Sequence, residues 1–161
     1  MEYLKYGLLI ALAIALVIAA ISDMRHRKIS NLINGGIALG APVFWIASGM
    51  AFWPDIVIQI GLGVSVFGVF AGLFALGLLG GGDAKLLGAL ALWLSPLAFL
   101  DLLIVMAFVG GAIAVIFVVR RTIWRPKKVL ELPYGVAITA GALWVIAGTY
   151  LPEAALAANI G

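Results

Sequence analysis

The chain has 161 residues, 65% of them hydrophobic and 11% charged, and its mean hydropathy of +1.23 exceeds what a soluble core needs, so lipid is its solvent. Cysteine is absent and histidine occurs once, which excludes a disulfide framework, a thiolate nucleophile and a Cys-based metal site. The net charge of +3 comes from basic residues spread over loops between apolar segments, not from one clustered patch, so no nucleic-acid partner is expected.

A membrane-spanning helix takes about 20 mostly apolar residues, and six candidate segments occur, at 4–22, 32–52, 56–79, 86–94, 97–119 and 134–151. The first is long for the apolar region of a secretory signal, has Lys5 as its only basic residue, and ends near Ala19-Ala20-Ile21, a weak cleavage sequence. It reads as a retained span. The following loop holds Asp23, Arg25, His26, Arg27 and Lys28; a lone histidine between two arginines cannot form a metal site unaided and reads as solvated or headgroup-facing. No metal or other cofactor is expected.

Gly36 and Gly40 in the second segment, and Gly61, Ser65, Gly68, Gly72 and Ala75 in the third, recur at helical spacings of three and four. Such small residues let helices approach closely in lipid, where hydrophobic exclusion does not drive association. The fourth segment is too short to span unless it begins near Gly82 or continues through Ser95 and Pro96. Between the fifth and sixth, residues 120–133 carry Arg120, Arg121, Arg125, Lys127 and Lys128, too short a stretch to fold alone and suited to anionic lipid.

Nine of the ten basic residues fall in the loops after the first, third and fifth segments. Glu2, Asp55, Asp101 and Glu153 lie on the other side with Lys5. Short cytoplasmic loops retain Lys and Arg, so both termini are expected outside and Asp23 and Asp83 at the cytoplasmic face. With no internal repeat, the expectation is one all-α, polytopic membrane domain over residues 1–161, with about six transmembrane helices.

Asp23 follows the first apolar segment, and Asp83 closes the glycines of Gly80-Gly81-Gly82-Asp83-Ala84-Lys85-Leu86 after the third. Carboxylates are costly near a bilayer and are kept there for a use. Three consecutive glycines weaken a helix by about 1 kcal/mol each relative to Ala, and they allow backbone angles and close approaches closed to other residues; here they end one helix and begin the next. Structural readings exist for both acids: Asp83 as the N-cap of the fourth helix, Asp23 as a counter-charge to Arg25, Arg27 and Lys28. The chemical reading unites them. Two carboxylates sharing one proton can hydrolyse a peptide without metal, serine or cysteine, the ionised one activating water and the protonated one hydrogen-bonding the scissile carbonyl. The titration then belongs to the pair.

Asp23 with Arg27-Lys28-Ile29-Ser30-Asn31, Gly80 to Leu86, and Leu132-Pro133-Tyr134-Gly135-Val136-Ala137 together resemble the type IV prepilin peptidases, membrane aspartic proteases with a Gly-x-Gly-Asp signature. The resemblance covers nearly the full length. It implies Asp23 and Asp83 as the catalytic dyad, Gly80 and Gly82 shaping the backbone around Asp83, and Lys85 and Asn31 as supports of unassigned role. It further implies a prepilin substrate whose basic leader is removed at the cytoplasmic face of a bacterial inner membrane, within reach of a pilus-assembly machinery. Longer members carry a cysteine-containing methylating domain that this chain lacks, so the short form of tight-adherence (Flp-type) pilus systems is expected, a peptidase without methyltransferase activity. Ser30 stands where many relatives have Pro and can cap the second helix. Two other classes stay open: a non-enzymatic component of a pilus or secretion assembly, and a small ion-coupled transporter using the aspartates for a cation or proton. The sequence leaves the oligomeric state open.

Overall fold

The computed structural model describes residues 1–124 and 134–160. These are all-helical, with no strand among them: α1 Glu2–His26, α2 Asn31–Ala47, α3 Val57–Ala75, α4 Gly81–Ala91, α5 Pro96–Trp124 and α6 Tyr134–Ile160. Each expected apolar segment thus contains a helix, although α2 stops at Ala47, short of the expected end at Phe52. The third is apolar to Leu79, but α3 stops at Ala75 because the chain reverses at Gly77, whose φ of 73° suits glycine. A turn at Phe52–Ile56 leads into α3, its Asp55 carboxylate accepting the Ala51 N–H at 3.1 Å. Pro96 opens α5 behind Ser95, in the position where a missing N–H costs least. Arg125, Lys127 and Lys128 of the expected basic loop lie outside the described residues.

Among the described residues, three helical stretches are long and apolar enough to cross a membrane: Glu2–His26, Phe52–Ala75 and Pro96–Arg120. Asn31–Ala47 and Tyr134–Tyr150 are shorter apolar helices. α4 is different in kind, since its 11 residues rise about 16 Å, roughly half the hydrocarbon thickness. It nonetheless sits at the centre. Eight of its residues are buried, Asp83 and Leu90 among them, and it packs against α2, α3, α5 and α6, while α1 packs on α2 and α6 and α5 lies mainly on α6.

The close approaches are not where the small-residue spacing put them. Gly61, Ser65 and Gly68 of α3 are exposed, and a methyl group on Gly61, Gly68 or Gly72 would meet nothing. α3 turns Gln59, Gly63 and Val66 inward instead. A Cβ on Gly63 would run into the Leu92 side chain, and one on Gly88 would lie 2.9 Å from Phe67 Cβ, so α3 and α4 touch through these two glycines. In α2, Gly36 faces open space while Gly40 accommodates the Trp93 ring, 2.8 Å from where its Cβ would stand. The spacing identified helices that carry small residues; which face packs follows from the neighbours.

A helix that ends inside an apolar interior leaves carbonyls without intrahelical donors. Beyond α4, Gln59 Nε2 donates to Ala91 O at 2.7 Å and also to Leu94 O, and Trp45 Nε1 donates to Leu92 O at 2.7 Å. Trp93 reaches back, its Nε1 donating to Ile37 O at 2.8 Å with its ring stacked on Phe44 at 5.0 Å. α2 and α3 thereby fix the inner end of α4. Replacing Gln59 by Leu removes both of its donations while keeping a side chain of similar bulk, and should cost about 1–3 kcal/mol of stability; a lowered thermal midpoint of the detergent-solubilised protein checks this.

Candidate active site

Asp23 stands in the last turn of α1, just past the apolar stretch. The helix ends on Arg27, which takes the left-handed conformation (φ 55°, ψ 32°) and donates its N–H to Asp23 O at 2.9 Å. That region is costly for a residue with a side chain, and Ser22 Oγ, donating to Lys28 O at 2.8 Å, helps hold the turn. The turn sends Ile29 back against α4, where it is buried. Ser30 then caps α2, its Oγ accepting the Leu32 N–H at 3.2 Å.

Asp83 is the third residue of α4, whose N-cap is Gly80 with no side-chain capping bond. The capping reading of Asp83 therefore does not describe this structure. Nor do Gly80 to Gly82 serve through unusual backbone angles: Gly80 has φ −70°, and the positive-φ glycines are Gly49 and Gly77. They make room. A Cβ on Gly80 would stand 2.7 Å from Asp83 Oδ2, one on Gly81 3.1 Å from the Phe74 ring, and one on Gly82 3.2 Å from Ile29 Cβ.

The two aspartates, 60 positions apart, line one cavity of about 240 Å3, with Arg27, Lys28 and Ile29 on one side and Gly80, Gly81 and Gly82 on the other. They are 7% and 9% exposed, so water screens them poorly. Their surroundings differ. Asp23 Oδ2 accepts the Gly135 N–H at 2.9 Å; burial, the largest influence, raises the Asp23 carboxyl above the ordinary carboxylate range, and this bond and then nearby Arg27 pull it part of the way back. Asp83 Oδ1 is buried with no hydrogen-bond partner among the described residues. Burial first, and then the charge of Asp23, push its carboxyl up to about 6. Two adjacent carboxyls with unlike surroundings can hold one proton between them near neutral pH.

The two expected supports meet each other, not the aspartates. Lys85 Nζ donates to Asn31 Oδ1 at 2.8 Å, and both line a separate groove of about 490 Å3 between α2, α3 and α4. Asn34 links that groove to the dyad, its Nδ2 donating to Gly82 O at 3.1 Å next to Asp83. Asn34 and Gly135 are the site residues that sequence reasoning passed over. For Gly135 the signal was the stretch from Leu132 to Ala137, whose first two residues lie outside the described ones; its contact with Asp23, 112 positions away, has no local trace.

A carboxyl raised from 3.8 to about 6 contributes stability in its neutral form at low pH and loses it as pH rises through about 6, above which a charge is held in a buried place. Asp83→Asn carries no charge at any pH. It should be more stable than the parent at mildly alkaline pH, by on the order of 2 kcal/mol, with the difference vanishing toward acid; thermal midpoints across a pH series check the sign.

No curated protein and no solved structure matches the chain. A model of the type IV leader peptidase family matches residues 10–119, a stretch that contains Asp23, Ile29, Asn34 and the whole run from Gly80 to Leu86 and ends before Gly135. With more than half of its length so matched, the chain belongs to the type IV leader peptidase family.

Proposed function

We propose that the protein is an aspartic endopeptidase that removes the basic leader of a type IV prepilin, of the Flp class, using Asp23 and Asp83 as its catalytic dyad. The observation that carries the reading is the shared cavity: two buried carboxylates, Asp23 with a backbone donor and Asp83 with an Oδ1 that meets none among the described residues, at one end of the helices of a leader peptidase family member.

The ionised carboxylate takes a proton from water as the water oxygen bonds to the scissile carbonyl carbon. The protonated carboxyl gives its proton to the carbonyl oxygen, and a gem-diol forms. The proton held by the first carboxyl then passes to the leaving nitrogen as the C–N bond breaks, while the second recovers a proton from one diol hydroxyl. Water is consumed, an acid and an amine leave, and the dyad returns to its starting state.

The clustering of basic residues in the loops after α1, α3 and α5 supports a cytoplasmic site in the inner membrane of a bacterium, with both termini on the opposite side. In this arrangement α4 enters from the cytoplasmic side and turns back into α5. The substrate's apolar helix stays in the bilayer while its leader reaches the cavity, and the pilus-assembly machinery receives the product.

Co-expression with an Flp-type prepilin tagged at its carboxyl end tests this. The wild type should shorten the prepilin, and Asp23→Asn or Asp83→Asn, at equal membrane abundance, should leave it intact, a loss of at least about a thousandfold in rate. Cleavage surviving both substitutions rules out the aspartic mechanism, and no cleavage of any Flp-type prepilin by the wild type favours a non-enzymatic role.

A further inference from the structure

We infer that the backbone N–H of Gly135, in the first turn of α6, is the positioning donor that holds Asp23 as the ionised, water-activating member of the pair and leaves Asp83 to carry the proton. The inference rests on the dyad reading above and assigns within it which carboxyl does what.

Three features carry it. Gly135 N–H reaches Asp23 Oδ2 at 2.9 Å in a buried place, and a donated N–H favours the ionised form of the carboxylate it meets. Next, the contact tolerates no side chain: a Cβ on residue 135 would stand 2.9 Å from Oδ2, 3.0 Å from Cβ and 3.1 Å from Cγ of Asp23. Glycine is therefore required by the approach of the carboxylate. Finally, α6 is locked in this register on α1 one turn later, where buried Thr139 Oγ1 donates to Leu16 O at 3.0 Å. The N–H is aimed by a two-point dock between helices, not by a free loop.

The charged groups around the pair agree in sign. Arg27 and Lys28 share the cavity with Asp23, Arg27 favours its charge, and α4 contributes only Asp83, since Lys85 is bonded to Asn31 in the other groove. On α6 the titratable neighbour is Tyr134, which is exposed. Among the described residues, Asp83 Oδ1 meets no such donor. The water-activating oxygen is accordingly on Asp23, and the hydroxyl directed to the scissile carbonyl is on Asp83.

The test separates the contact from the activity. In an Asp83→Asn background, which isolates Asp23, the carboxyl band of Asp23 is titrated by infrared difference spectroscopy with and without Gly135→Ala. The midpoint should rise by about one pH unit, a tenfold change in the ionisation constant. Gly148→Ala, on the same helix with open space around it, should leave the midpoint where it was. In the otherwise wild-type enzyme, Gly135→Ala should lower kcat roughly tenfold with little change in KM and move the acid limb of the pH profile toward neutrality. An unmoved midpoint, or a loss of activity equal at every pH and matched by a lowered melting temperature, overturns the positioning role. A moved midpoint together with cleavage by Asp23→Asn overturns the catalytic reading and reduces Gly135 to a structural contact.

Discussion

The arrangement depends on how a helix of only 11 residues can end inside the apolar interior of the helical bundle. An apolar interior leaves no backbone polar group without a partner at low cost, and the end of α4 and the chain just beyond it present carbonyls at Ala91, Leu92 and Leu94. Gln59 from α3 and Trp45 from α2 supply the missing donors. Because these donors come from two different helices, satisfying the carbonyls also fixes the depth and rotation of α4. What is set at the inner end is inherited at the other, where Asp83 stands two turns before the buried Leu90.

The outer end of α4 reaches its position by subtraction. Gly80, Gly81 and Gly82 present no Cβ to Asp83, Phe74 and Ile29, so the helix can start directly against the turn that follows α1. That turn costs conformational energy at Arg27, held by Ser22 and by the burial of Ile29. Removing side chains on one strand of the chain and straining one residue on the other brings two carboxylates into a cavity of about 240 Å3. Neither device would make sense alone, which is why Asp23 and Asp83 read as a unit physically as well as chemically.

Much of this was legible in the residues and some was not. Composition and apolar runs of known length reveal the six helices, and the shortness of the fourth was visible because helix rise and bilayer thickness are fixed lengths. Asp23 and Asp83 stood out because charge is expensive there. The packing face of α3 was misread: spacing of three and four marks Gly61, Gly68 and Gly72 as a stripe, but Gly63 is the residue against Leu92, and one glycine out of register leaves no mark in the pattern. The resemblance implies Lys85 and Asn31 as supports beside the aspartates, yet Lys85 turns toward α2 and bonds to Asn31 instead. Gly135 lies in a stretch that the resemblance marks, but its use could not be read locally, since it is defined by a carboxylate on another helix.

The remaining question is how two acids are tolerated in one small, poorly hydrated space. Like charges at short range do not both ionise readily, so the site favours holding a proton, and holding a proton is what the proposed chemistry requires. The asymmetry of donors decides where that proton rests. A site with donors to both carboxylates would favour two charges and lose its acid; a site with donors to neither would favour two protons and lose its base. One N–H to Asp23 and, among the described residues, none to Asp83 Oδ1 lies between these limits. In the proposed assignment the single proton follows from packing α6 on α1 at one glycine, and α6 also packs on the half-helix that carries Asp83.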